Sequence, residues 1–235
     1  MYPERYHDSI PTIFATATNS IPMSYTPPKL QLPNGYTSVV LHACCAPCSS
    51  AILECMLESS IRPTVFYFNP NIYPKQEYEL RKNESIRQVR SLGLDWVDGD
   101  YDHSLWSEHM KGLEQEPERG RRCSACFLLR MERTARLAKD MGIGLFTTTL
   151  ASSRWKDIRQ IDDAARRAAM MVGSVEYWAV NWRKGGLSER RNQLLKEGGF
   201  YNQQYCGCEY SMQAAIKARR RSDPGASSPQ TGGAG

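Results

Sequence analysis

The stretch LHACCAPCSS, residues 41–50, places Cys44, Cys45 and Cys48 within five positions of one another, directly after the apolar run TSVVLHA. Adjacent cysteines point in different directions and cannot both serve as simple hydrophobic packing, so the group reads as thiol chemistry rather than core. A second pair, Cys123 and Cys126, stands in RRCSACFLLR. At a helix N-terminus this spacing sets two sulfurs on one turn, where the helix dipole and the flanking Arg121 and Arg122 are expected to lower their pKa values and make both thiolates ready to ligate. Four sulfurs drawn from the two stretches satisfy tetrahedral zinc or a [4Fe–4S] cluster, and spacing alone does not choose between them. A third pair, Cys206 and Cys208, lies in CGC, while Cys55 stands apart at helical spacing with Ile52, Met56 and Ser59 and reads as a core residue.

The elements that must position these thiols follow from the apolar pattern. Strands are expected at Ser38–Ala43, in TVFYFN, in DWVD and in LFTTTL, and helices from Ser49, over Gln76–Leu92, around Ser104–Leu113, over Ala125–Met141 and in KDIRQIDDAARRAAMM. Strand alternating with helix implies parallel strands joined by crossovers, hence a doubly wound α/β sheet. Ligands of such sheets sit at the carboxyl ends of strands, where CCAPC falls. A phosphate cradle at that loop is unlike this sequence: CCAPC has no glycine, and Pro47 has no N–H to give. The expected organisation is an irregular extension at 1–36, an α/β domain at 37–221 and a disordered Gly/Ser/Pro tail at 222–235. With 235 residues and 41% hydrophobic content the chain can fill a core without disulfides. A charged, Pro-bearing N-terminus and the lack of a long apolar run favour a cytoplasmic protein with no membrane partner, and in that compartment clustered cysteines argue for metal or redox chemistry. The net charge is +5, with basic pairs at Arg121–Arg122, Arg166–Arg167, Arg183–Lys184 and Arg190–Arg191. Such pairs fit a polyanion such as RNA, although solvated helix faces are commoner.

Five blocks in order, LHACCAPCS, YFNPNIYPKQEYELRK, RRCSACFLLRM, FTTTLASSRWKD and YCGCEYS, resemble the signature of the cobalamin-independent epoxyqueuosine reductase family, QueH type. The resemblance runs from Val39 to Ser211. It implies a Rossmann-like fold related to the adenine nucleotide alpha hydrolases, with an iron–sulfur site at the strand carboxyl ends. The implied reaction is reduction of epoxyqueuosine to queuosine at the wobble position of tRNA, the last step in making that nucleoside. By position the resemblance makes Cys44, Cys45, Cys123 and Cys126 the ligands of a [4Fe–4S] cluster, and Cys206 and Cys208 a redox-active pair. Cys48 stands where family members bear Cys or Asp, and is assigned to the cluster or to a second, mononuclear iron.

Converting an epoxide to an alkene takes two electrons and two protons and releases water, whereas a [4Fe–4S] cluster passes one electron at a time. A dithiol at Cys206 and Cys208 stores two; a disulfide closed across one glycine is strained and therefore oxidising. The same CGC can instead be a two-thiolate grip on a metal, such as an extra iron acting as Lewis acid on the leaving oxygen. An external electron donor is required either way. Asn69, Asn71, Thr148, Ser152 and Lys156 are candidate substrate contacts near strand ends, beside the readings of Asn as turn residue and Thr as good strand composition. Tyr73, Tyr78 and Trp155 can stack on a nucleobase or simply pack. Glu77 and Arg81, four apart on a helix, have the spacing of an exposed ion pair. His42 and His103 lack ligand spacing and read as structural. The competing functions are a zinc-stabilised RNA-binding module, which gives CGC no purpose, and an iron–sulfur tRNA thiolase, which would need the glycine-rich loop that CCAPC replaces.

Overall fold

The computed structural model describes residues 25–222. The expected extension and tail fall outside the described residues over 1–24 and 223–235; the rest of the extension lies on the domain, where Tyr25, Leu30, Leu32 and Tyr36 pack on apolar core. Five short strands form one parallel sheet: β1 (Val40–His42), β2 (Thr64–Tyr67), β3 (Trp96–Asp98), β4 (Leu145–Thr148) and β5 (Glu176–Tyr177), in the order β3-β2-β1-β4-β5. Every residue of the three inner strands is buried, because helices cover both faces and leave the strands no polar side.

On one face lie α4 (Arg121–Asp140) and α5 (Ile158–Val172). Phe127, Met131, Ala135 and Ala138 of the first meet Ile161, Ala164, Ala165 and Ala168 of the second over Val40 and Phe146. The small alanines let the two helices lie close to each other and to the sheet. On the other face α1 (Ala46–Glu58) packs against α6 (Leu187–Glu197) through Ile52, Leu53, Met56, Leu187 and Leu194. Cys55 belongs to this apolar layer, with its thiol donating to the Pro28 carbonyl, so it stands on the far side of α1 from the other cysteines. The remaining helices are α2 (Lys75–Ser91), α3 (His103–His109) and α7 (Glu209–Ser222).

The strand order reverses between β1 and β4, so the loops leaving these two neighbours diverge and open a crevice at their carboxyl ends. His42 ties the ends together beneath it. Its Nε2–H donates to the Phe68 carbonyl at 3.1 Å, and its Nδ1 accepts from Thr148 Oγ1 at 2.9 Å, the tautomer being fixed by the carbonyl, which can only accept. Burial, reinforced by the nearby Arg130 charge, pushes the His42 pKa down to about 3. An unfolded His binds a proton near its ordinary value of 6.5, whereas folded His42 refuses one until about 3. Its contribution is therefore complete above the unfolded value and is lost as pH falls through the window between them, at a slope of about 1 kcal/mol per pH unit. Denaturant titrations from neutral to acidic pH should show this slope, and His42→Gln should flatten it; an unchanged slope in that variant would refute the assignment.

Candidate functional site

The first-strand loop delivers three sulfurs to the crevice. Cys45 caps α1 in an extended conformation and Pro47 sits in the first turn, where its missing N–H costs nothing, so the chain turns sharply and Cys44, Cys45 and Cys48 converge. Their Sγ atoms lie within 4.8 Å of one another, all three buried, with Cys44 and Cys45 3.8 Å apart. Thr149, just past β4, fastens the loop across the crevice: its hydroxyl accepts from the Cys44 amide at 3.1 Å and donates to the Cys44 sulfur at 3.4 Å. Hydrogen bonds from the Cys45 and Cys48 thiols hold the Cys44 pKa well below its usual range, with Lys156 and Arg130 adding positive charge. The donors bear the converse shift, Cys45 upward and Cys48 up to about 11, chiefly through those same bonds. The hydrogen bonds among the three sulfurs thus favour ionisation at Cys44 over its two neighbours.

Cys123 and Cys126 enter from the first turns of α4, but not as the sequence suggested. Burial raises both pKa values, Cys123 to about 12. The flanking arginines do not counter it because their guanidinium groups are engaged with other partners. Arg121 is exposed and paired with Glu116 at 2.6 Å, while Arg122 is buried, donates to the Leu113 and Glu114 carbonyls and lies 4.3 Å from the Tyr210 ring centroid. Cys123 borders the cluster holding Cys44, Cys45 and Cys48, and Cys126 packs with Trp106 beside Cys208. Cys123, Cys206, Cys208 and Lys156 line one cleft. All eight cysteines are free thiols.

Two cations lie among these thiols without an ion-paired carboxylate among the described residues. Lys156 is 8% exposed and Arg130 2%, and neither forms an ion pair among the described residues. Arg130 donates to Asn69 Oδ1, and its Nε is buried without a partner. Although burial acts to lower it, the Lys156 pKa is raised by the thiol groups of Cys206, Cys44 and Cys48. A buried charge is tolerated only when matched. The missing negative charge is supplied if several thiols ionise together, as they do on binding a metal or a metal–sulfur cluster. This donor set therefore fits a thiolate-ligated metal cofactor. Sequence reasoning missed Arg130; the signal was an arginine on the apolar face of FLLRM, four residues after Cys126.

The CGC segment is held by α2 and the loop before it. Arg81 is 2% exposed, pairs with Glu77 at 2.7 Å, donates to the Cys206 and Tyr205 carbonyls at 3.3 and 3.4 Å, and lies over the Tyr205 ring. The expected exposed ion pair is instead a buried clamp, because the CGC segment covers it. The Gly207 carbonyl accepts from the Tyr73 amide at 2.8 Å and its N–H donates to Ser211 Oγ at 3.2 Å, while its φ is +144, where a Cβ would come within 2.9 Å of Asn71 Nδ2. Glycine is therefore required between the two cysteines. Cys208 sits against Ser211 at 3.4 Å, and burial raises its pKa to about 11.

The other candidate residues are placed as follows. Asn69 is fully buried and donates to the Ala43 carbonyl at 2.9 Å; Asn71 is 3% exposed with an unpartnered Oδ1. Thr148 spends its hydroxyl on His42 and the Leu150 amide, and Ser152 donates to the Thr149 carbonyl. Arg190, expected among the RNA contacts, is buried in a bidentate pair with Glu54 at 2.8 and 2.9 Å on the α1–α6 side, so it has no charge free for phosphate. Of the exposed arginines, Arg119 lines the cleft and Arg154 directly precedes Trp155, which also lines it.

Because hydrogen bonding and burial raise the pKa values of Cys45, Cys123 and Cys126, metal loading on these thiols must release protons. Affinity of metal-free protein for ferrous iron or zinc should rise with pH by about tenfold per unit for each thiol that must ionise. Calorimetry in buffers of different ionisation heat counts those protons. Lys156→Met should move the dependence to higher pH, since loss of the cation makes the thiols harder to ionise, while a pH-independent affinity would exclude thiolate ligation.

The model of a family described as "Epoxyqueuosine reductase QueH" matches residues 39–214. A protein of that description from Histophilus somni is 46% identical over 192 residues, covering 82% of this chain and 79% of its own, and one from Haemophilus influenzae is 46% identical over 191 residues, covering 81% and 78%. A solved structure described as a predicted subunit of tRNA methyltransferase, from Methanocaldococcus jannaschii, superposes at a TM-score of 0.45 with 13% identity over 79% of this chain and 88% of that one, too distant to bear on the site. With five ordered sequence blocks now gathered around one crevice, and a family match spanning most of the chain, the chain belongs to the epoxyqueuosine reductase QueH family.

Proposed function

We propose that the protein reduces epoxyqueuosine to queuosine at the wobble position of tRNA, with Cys44, Cys45, Cys123 and Cys126 holding a [4Fe–4S] cluster and Cys206 and Cys208 working as the redox pair. The observation that carries this reading is the convergence of three separate cysteine groups on a crevice whose two buried cations form no ion pair among the described residues. Family membership supplies the substrate, and the cysteines supply the electrons' route. The epoxide gains two electrons and two protons; both carbon–oxygen bonds break, an alkene remains, and the oxygen leaves as water. When bound, the cluster supplies one-electron reducing equivalents to this chemistry.

The chain's own groups carry the rest. Lys156, held protonated, keeps an N–H at the thiol-lined cleft to stabilise negative charge on the departing oxygen. Cys206 and Cys208 give two electrons by closing a disulfide, which an external donor must reopen. Cys48 is the spare thiol, able to ligate the cluster or a second iron beside it. Asn71, with its unpartnered buried carbonyl oxygen, is the best placed of the candidate substrate amides. We read the sheet order as kin to the adenine nucleotide alpha hydrolases, with thiols taking the place of the phosphate loop. No helix among the described residues is long and apolar enough to cross a membrane, and the tRNA substrate sets the enzyme in the cytoplasm.

Cys123→Ala should lose iron and the brown colour of an iron–sulfur protein while keeping its helical signal, because the apolar layers fold without metal. Cys208→Ser should keep its iron yet form no alkene from epoxyqueuosine-containing tRNA. Wild-type protein exhausted by substrate without reductant should yield a Cys206–Cys208 disulfide in peptide mass analysis. Iron loss in Cys208→Ser, with no disulfide trapped, would make CGC a metal grip; colourless zinc protein without turnover would favour the RNA-binding module.

A further inference from the structure

The loop between β4 and α5 carries a large aromatic side chain that the fold does not use. Trp155 is 68% exposed, the most exposed of the large aromatic residues described, and it stands at the rim of the cleft that Cys123, Lys156, Cys206 and Cys208 line. An indole left in water forgoes the stabilisation that burying a side chain of this size would give. Its position is not slack. Arg119 donates through Nε to the Trp155 carbonyl at 2.9 Å and through Nη2 to the Arg154 carbonyl at 3.3 Å. Arg183 donates to the Ser153 and Lys156 carbonyls at 2.5 and 2.8 Å, and Asp157 ends the loop by capping α5. Two arginines thus grip four consecutive carbonyls, and the indole is presented outward from a braced loop.

The surroundings select the ligand class. Glu118, Arg119, Arg122 and Asp157 line the cleft with Trp155, so the ring is no part of an apolar patch of the kind that binds a protein partner. The Arg154 guanidinium lies 5.3 Å from the ring centroid, giving a π face and a cation side by side. A flat aromatic group joined to an anion, as in single-stranded nucleic acid, matches both features, and such stacking tolerates any base. We propose that Trp155 and Arg154 form a stacking platform for an unpaired nucleobase of the substrate RNA, next to the nucleotide whose modified base enters the thiol-lined cleft. This assignment rests on the tRNA reading above. Arg119 and Arg183 are then positioning residues: they touch the loop and not the RNA.

The test uses metal-loaded protein and two probes, an unmodified anticodon stem–loop RNA and a blunt RNA duplex of similar length. Trp155→Ala should weaken stem–loop binding by roughly five- to a hundredfold, the range typical of one lost base–aromatic stack, and Trp155→Phe should restore most of it. Duplex binding should be weak and equal in all three proteins, and iron content unchanged. Arg154→Ala should flatten the salt dependence of stem–loop binding by about one phosphate contact. Equal stem–loop affinity for wild type and Trp155→Ala would overturn the platform, as would an equal loss on the duplex. Reduction of epoxyqueuosine-containing tRNA by the wild type is measured in parallel. Turnover with an affinity indifferent to Trp155 removes the platform and keeps the reaction, whereas Trp155-dependent binding without turnover keeps the platform and removes the reaction.

Discussion

Two positive charges buried among thiols set the terms for everything around the crevice. Lys156 and Arg130 have almost no contact with water, and neither forms an ion pair with a carboxylate among the described residues. A cation in that setting either loses its charge or draws negative charge to itself, and here the nearby cysteines, as thiolates, raise the Lys156 pKa against its burial. The thiols face the mirror of this constraint. Those of Cys48, Cys123, Cys126 and Cys208 resist ionisation through burial or hydrogen bonding, and only Cys44, with two thiol donors, is pulled the other way. The crevice thus contains more cation than its resting thiols balance and more sulfur than packing requires. A centre that takes its ligands as thiolates resolves both at once.

The fold supplies that arrangement from distant parts of the chain. The reversal of strand order between β1 and β4 opens the crevice, and Thr149 and His42 fix the two strand ends across it. From the α4–α5 side come Cys123, Cys126 and Arg130; from α2 comes Arg81, which holds the CGC backbone and not its sulfurs. The main chain of the segment carrying Cys206 and Cys208 is thereby fixed by Arg81, Tyr73 and the required glycine at 207, while the Cys208 thiol donates to Ser211.

Much of this was legible in the sequence. Alternating apolar runs located the four larger strands and the helices between them, and the cysteine spacings marked the chemistry, because metal and redox sites demand particular residue types at short range. The two-residue strand β5 escaped notice, being too short to show a period. What the sequence misjudged was direction. Arg122 and Arg190 stand in basic pairs, yet each turns inward, one to loop carbonyls and one to Glu54. Charge counted along a chain does not say which side of a helix it occupies once partners far away in sequence are available. The pKa of Cys123 was misread for the same reason: nearest neighbours suggested cations, while the fold sent those cations away and buried the thiol.

Arg81 makes the same point from the opposite side. Four residues after Glu77, it has the spacing of a solvated surface pair worth a few tenths of a kcal/mol. Burial beneath the CGC segment changes what the pair does. Glu77 offsets the charge, which leaves the guanidinium's remaining N–H groups to reach two main-chain carbonyls more than a hundred residues away. Glu77 also accepts from the Tyr201 hydroxyl at 2.9 Å, so the same carboxylate anchors the approach to CGC as well as the arginine that holds it. The pair is therefore better understood as a joint between α2 and the segment carrying Cys206 and Cys208. Loss of either charge would leave the other buried and unmatched, at a cost well above that of an exposed pair.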